Sequence, residues 1–137
     1  MVISTAMTFG SAPLMTRILL VEDDSDVRVV VSEFLGTMGC DVISAASAEE
    51  ARCVLANKPV DLAVIDCLMS GEQGNFLAEH CQNLGIATIL TSGDPHYLEL
   101  LGNKSQPFLP KPFRLGELSE LISGVLQAPP KGQSVRS

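Results

Sequence analysis

The segment ILLVEDDSDVR (residues 18–28) runs four apolar residues straight into Glu22, Asp23 and Asp24. Neighbouring carboxylates repel, so an attraction must offset the crowding. A helix N-terminus is one source, because its free N–H groups and its dipole favour negative charge. Capping does not account for Asp66, Thr91 and Lys111, which stand where other apolar runs end: DLAVID (61–66), IATILT (86–91), and PFLP (107–110) running into Lys111. Brought together, three carboxylates suit a hard divalent cation such as Mg²⁺, which takes oxygen ligands and keeps several waters. An aspartate is also a nucleophile toward phosphorus. A lysine ammonium and a threonine hydroxyl would neutralise and hydrogen-bond a transferring phosphoryl group.

Five apolar runs could position these residues: 17–21, 41–45, 61–66, 86–91 and 107–110. Continuous runs, rather than strict alternation, suit strands covered on both faces. Helical spacing fills the gaps. Val27, Val30, Val31, Phe34, Leu35 and Met38 recur at three- and four-residue steps, with Gly39 closing that helix. Ser47 and Glu50 stand in capping-box spacing ahead of Ala51, Val54 and Leu55. Phe76, Leu77, His80, Cys81 and Leu84 give a third helix stopped by Gly85. HYLELL (96–101) is a short, weaker fourth, and Leu118, Leu121, Ile122 and Val125 mark the last. Alternating strands and helices predict an α/β fold with a parallel sheet and helices on both faces. Ligands of such sheets bind beyond the carboxyl ends of the strands. Glu22, Asp23, Asp66, Thr91 and Lys111 all fall on that edge.

A chain of 137 residues, 46% apolar and 18% charged, fits one globular domain. The formal charge of −7 argues against nucleic acid and against an anionic membrane surface. No apolar run approaches the roughly 20 residues of a membrane-spanning helix. Residues 1–15 are expected to be a disordered lead-in without the basic start of a signal peptide, 16–127 the domain, and 128–137 a flexible Pro/Gly/Ser tail. Cys40, Cys53, Cys67 and Cys81 form no C-x-x-C pair, so reduced thiols in a cytoplasmic protein are expected. His80 and Cys81 are adjacent on a helix and should point apart, and His96 reads as a surface residue.

The motifs ILLVEDDSDVR, DLAVIDCLMSGEQG, ILTSG and FLPKPF, in this order over residues 16–127, resemble those of response-regulator receiver domains of two-component signalling. The SGDP…FLPKPF ending is similar to single-domain receivers and to receivers of hybrid histidine kinases. The resemblance implies a flavodoxin-like, doubly wound five-stranded sheet in the order 2-1-3-4-5. It makes Asp66 the phosphoacceptor. Mg²⁺ would be held by Asp23, Asp66 and the backbone carbonyl of Leu68, with Glu22 acting mostly through water. Lys111 would hold the phosphoryl group, with a cis bond before Pro112, and Thr91 would swing toward a phosphoryl oxygen. Phe108 stands at the family's switch aromatic, although a buried strand residue explains it equally. Asp24 would cap the first helix.

The implied function is Mg²⁺-dependent acceptance of a phosphoryl group from a histidine kinase or histidine phosphotransfer protein, switching contacts with a downstream target. Such a receiver takes part in its own phosphorylation and dephosphorylation but is not a turnover enzyme. The chain departs from the family at Ser70, where proline is usual, though Gly71 and Gly74 are kept. Its stretch between Thr91 and Lys111 is slightly short. Leu68 and Gly93 replace polar residues that help orient an attacking water, so a long-lived phosphoryl group is expected. Cys67 should point away from Asp66 along the strand.

Three rivals remain. An aspartate-based phosphatase of the haloacid type would carry its nucleophile on the first strand and a cap over the site. A flavodoxin would need a Ser/Thr/Gly phosphate cradle where this chain has acids. An inactive receiver could serve as a protein-binding scaffold. Relay, phosphate sink and output by binding are equally compatible with these residues, as is a detached piece of a hybrid kinase.

Overall fold

The computed structural model describes residues 16–69, 73–94, 96 and 106–127. In chain order these form β1 (Arg17–Val21), α1 (Ser25–Thr37), β2 (Asp41–Ala45), α2 (Ala48–Asn57), β3 (Leu62–Asp66), α3 (Gly74–Asn83), β4 (Ala87–Ser92), β5 (Phe108–Pro110) and α4 (Leu115–Gln127). The expected lead-in and tail, the turn at Ser70 and Gly71, and most of the short helix over 96–101 lie outside the described residues.

The five strands are parallel and stand in the order β2-β1-β3-β4-β5. Successive side chains alternate across the sheet and build two cores. On one face Ile18, Leu20, Val64 and Ile89 meet Leu35 of α1 and Leu118 and Ile122 of α4. On the other, Leu19, Ile65 and Leu90 meet Ala51 of α2 with Leu77 and Cys81 of α3. This double burial is why the strands read as unbroken apolar runs. Truncating a fully buried residue such as Leu35 should cost about 2–5 kcal/mol.

The helix ends follow the sequence signals. Asp24 caps α1, its carboxylate accepting from the N–H groups of Asp26 and Val27 at 2.9 and 3.2 Å. The Ser47 hydroxyl accepts from the Glu50 N–H at 3.1 Å, while Glu50 reaches back to the Ala46 N–H at 2.8 Å. That return bond closes the capping box one residue earlier than the pattern predicts. Gly39 and Gly85 end α1 and α3 with φ of 91° and 80°.

Three of the apolar residues that mark the helical spacing are not covered. Val30, Phe76 and Leu84 are 52%, 55% and 53% exposed. On α1 the buried stripe narrows to Val31 and Leu35, with Val27, Phe34 and Met38 partly covered. On α3 Leu77, Ala78 and Cys81 take the sheet, which turns Phe76 and Leu84 outward.

Candidate functional site

Position in the site follows from strand register. Asp66, the last residue of β3, pairs with Thr91 of β4, and Thr91 pairs with Leu109 of β5. Glu22 follows the end of β1, where its N–H donates to Ala45 O at 3.0 Å. Lys111 follows β5, its N–H donating to Ser92 O at 2.8 Å, and the Lys111–Pro112 bond is cis as expected. Glu22, Asp66 and Thr91 are buried, whereas Asp23 is exposed.

Across this edge the Lys111 ammonium donates to Glu22 Oε1 at 2.7 Å and to Asp66 Oδ2 at 3.2 Å. Glu22 Oε2 also accepts from the Asp24 N–H at 3.1 Å, and Asp66 Oδ1 from the Leu68 N–H at 3.1 Å. One carboxylate oxygen from each of Glu22, Asp23 and Asp66 lies within 4.8 Å of the others. Three hard oxygen donors, two buried and one open to water, fit a Mg²⁺ ion that keeps waters of its own. They fit the ion better than they fit one another, since the Lys111 ammonium bonds only Glu22 and Asp66 of the three.

The electrostatics agree. Burial pushes the Glu22 carboxyl above its ordinary range, against the Lys111 hydrogen bond that lowers it, and the Asp66 charge adds to the rise. Burial works against the Lys111 charge too. The hydrogen bond donated to Glu22 and the charges of Asp66 and Glu22 outweigh it and hold the ammonium above its usual value. The rise at Lys111 reflects the two carboxylates beside it, whereas the rise at Glu22 is chiefly the cost of burying its charge.

Several neighbours stand apart from this chemistry. Cys67 belongs to the opposite core with Leu77 and Ala78, and burial pushes its thiol up to about 11. His80 is half-buried and Cys81 fully buried, so the adjacent pair does not converge. His96 is exposed. Phe108 is half-buried against the α2/α3 core. The Leu68 side chain is 49% exposed, and Gly93 is exposed, with room for a Cβ that would stand 3.7 Å from Lys111 Cβ. Beside Lys111 an open groove of about 640 Å³ runs along Val27, Val30, Pro112, Phe113 and Leu115.

Two residues make contacts at the site that their spacing in the sequence does not show: Gly74, kept as a turn residue, and Arg28. Gly74, the first residue of α3, donates its N–H to Cys67 O at 3.0 Å, and a Cβ there would stand 2.2 Å from Asp66 O. Arg28 Nη1 donates to the main-chain carbonyl of Glu22 at 2.8 Å. A cation in the first turns of a helix opposes the dipole. That anomaly was the available signal.

Comparison with known proteins gives one consistent picture. The family model for the response regulator receiver domain matches residues 18–123. The response regulator protein PilR of Pseudomonas aeruginosa is 32% identical over 116 residues, which are 81% of this chain and 26% of PilR. The heme response regulator HssR of Staphylococcus haemolyticus is 31% identical over 121 residues, 82% of this chain and 52% of HssR. The chain thus spans between a quarter and a half of these relatives. Among solved structures, the response regulator TrrA of Thermotoga maritima in complex with Mg²⁺-BeF superposes with a TM-score of 0.74 at 28% identity, covering 82% of this chain and all of TrrA. The receiver domain of the hybrid histidine kinase CckA gives 0.68 at 33% identity, over 81% of this chain and 99% of that domain.

Proposed function

The chain belongs to the response regulator receiver domain family, whose general function is phosphoacceptance in two-component signalling, and on that premise we propose that Asp66 is its phosphoacceptor. A carboxylate oxygen of Asp66 attacks the phosphorus of a phosphohistidine. The new P–O bond forms as the P–N bond breaks, and the freed imidazole takes up a proton from water. Glu22, Asp23, Asp66 and the Leu68 backbone carbonyl would hold Mg²⁺, which when bound supplies positive charge to the phosphoryl oxygens. Lys111 orients the Asp66 carboxylate and then follows the phosphoryl group as a hydrogen-bond donor. Thr91, beside Asp66 in the ladder, offers its hydroxyl to a phosphoryl oxygen, and Phe108 in the next strand adjusts to it. The contacts of Lys111 and Thr91 to the phosphoryl oxygens exist only in the phosphorylated state, so together they shift the population toward an arrangement that a partner reads.

The observation that carries this reading is the pairing of Lys111 with both Glu22 and Asp66, beside Asp23 and Thr91. The donor is a histidine kinase or a histidine phosphotransfer protein, and the setting cytoplasmic. Among the described residues no helix is long and apolar enough to cross a membrane. Beryllofluoride with Mg²⁺ mimics an aspartyl phosphate. It should shift the backbone amide resonances of residues 66–68 and 91–93 in the unsubstituted chain and leave them unmoved in D66N. Equal shifts in D66N would contradict the assignment.

A further inference from the structure

Arg28 is the fourth residue of α1, where the helix dipole disfavours a cation. Its guanidinium is nonetheless turned back onto the strand end and donates to Glu22 O at 2.8 Å. The carbonyl it holds belongs to the peptide that joins Glu22 to Asp23. Because a peptide is planar, fixing that oxygen fixes the direction in which the chain leaves toward Asp23. The other side of Glu22 is already held, its N–H by Ala45 O at 3.0 Å and its Oε2 by the Asp24 N–H at 3.1 Å. Asp23 has no such support from burial, being exposed. Its carboxylate oxygen nevertheless lies within 4.8 Å of those of Glu22 and Asp66.

We propose that Arg28 is a positioning residue of the Mg²⁺ site, its guanidinium clamping the Glu22–Asp23 peptide so that both carboxylates converge on Asp66. The proposal rests on the reading of Glu22, Asp23 and Asp66 as that site. Charge alone predicts the opposite of positioning. A guanidinium close to a cation site repels the cation, so deleting its charge would tighten Mg²⁺ binding. A purely structural role would lower the stability of the fold without changing the affinity of folded molecules. The sign of the affinity change therefore separates the three possibilities.

The test is Mg²⁺ titration of the full chain by calorimetry, with urea unfolding run beside it. R28M keeps much of the apolar stem and removes both donor and charge. It should bind Mg²⁺ about tenfold more weakly, as loss of an outer-shell partner typically does. R28Q, run in parallel in case R28M folds poorly, should fall with it. R28K keeps a donor and the charge and should bind more tightly than either. Neutral variants that bind Mg²⁺ as well as or better than the unsubstituted chain would overturn the role of Arg28 and leave the site reading intact. So would R28K binding no more tightly than R28M. Failure of the unsubstituted chain to bind Mg²⁺ would overturn both.

Discussion

Lys111 and Glu22, 89 positions apart in sequence, meet at 2.7 Å on the carboxyl edge of the sheet. The bond ties the end of β5 to the end of β1 across β3, which carries Asp66, and β4. Removing one partner of a buried pair leaves the other charge uncompensated. Because Lys111 is only half-buried, K111M should lose less than a fully buried pair would, about 1–2 kcal/mol of folding stability in metal-free buffer. Mg²⁺ should recover part of that loss, because the ion supplies the positive charge that Lys111 provided. Urea unfolding with and without Mg²⁺ measures both effects. A K111M chain as stable as the original in metal-free buffer would contradict the pairing.

Gly74 leaves no room for a side chain, with a Cβ placed 2.2 Å from Asp66 O and 2.8 Å from Cys67 Cα. Those neighbours are backbone and cannot rotate away, so α3 or the end of β3 must shift. G74A should destabilise the fold by about 2 kcal/mol, as overpacking does. It should also slow phosphorylation by acetyl phosphate, because Asp66 moves with its own carbonyl. Urea denaturation and a phosphorylation time course read the two effects separately.

Leu68 and Gly93 offer no hydrogen bond from their side chains to a water approaching Asp66. The aspartyl phosphate should accordingly be long-lived in the isolated chain. L68N would supply one neutral hydrogen bond, worth about 1 kcal/mol, and so shorten the half-life about fivefold. Loss of radiolabel from the two phosphoproteins gives the ratio. Equal and rapid loss from both would remove the role assigned to Leu68.

Burial raises the thiols of Cys40 and Cys81 from an ordinary 9.0 to about 11. A raised folded value means that the folded state keeps its proton where the unfolded chain has lost it. The contribution to stability is thus complete below about pH 9 and is lost as pH rises toward 11. It amounts to roughly 2–3 kcal/mol per thiol. C81A should flatten the fall measured by urea unfolding between these limits. At pH 8 only Cys53, which is exposed, should react quickly with a thiol reagent in the native protein.

Much of this was legible in the residues. The unbroken runs from Arg17 to Val21 and Leu62 to Asp66 reported strands buried on both faces, and the strand ends located Glu22, Asp66, Thr91 and Lys111 on one edge. Ser47 with Glu50, and Asp24 ahead of α1, were readable because a cap is a local matter of spacing. What escaped depended on distance in three dimensions. The reach of Arg28 back to Glu22 O, and the approach of Gly74 to Asp66 O, are set by how α1 and α3 lie on the sheet. The outward turn of Val30, Phe76 and Leu84 has the same origin. Helical spacing gives a stripe, but the packing angle decides how much of it is covered.

The most direct test is phosphorylation itself. The chain is incubated with acetyl phosphate and Mg²⁺ and its intact mass recorded beside D66N and beside a sample containing EDTA. The account predicts a gain of one phosphoryl group in the unsubstituted chain alone. An equal gain in D66N would place the phosphoryl group on another residue. No gain, in a chain shown to bind Mg²⁺, would contradict Asp66 as an acceptor of small-molecule phosphoryl donors.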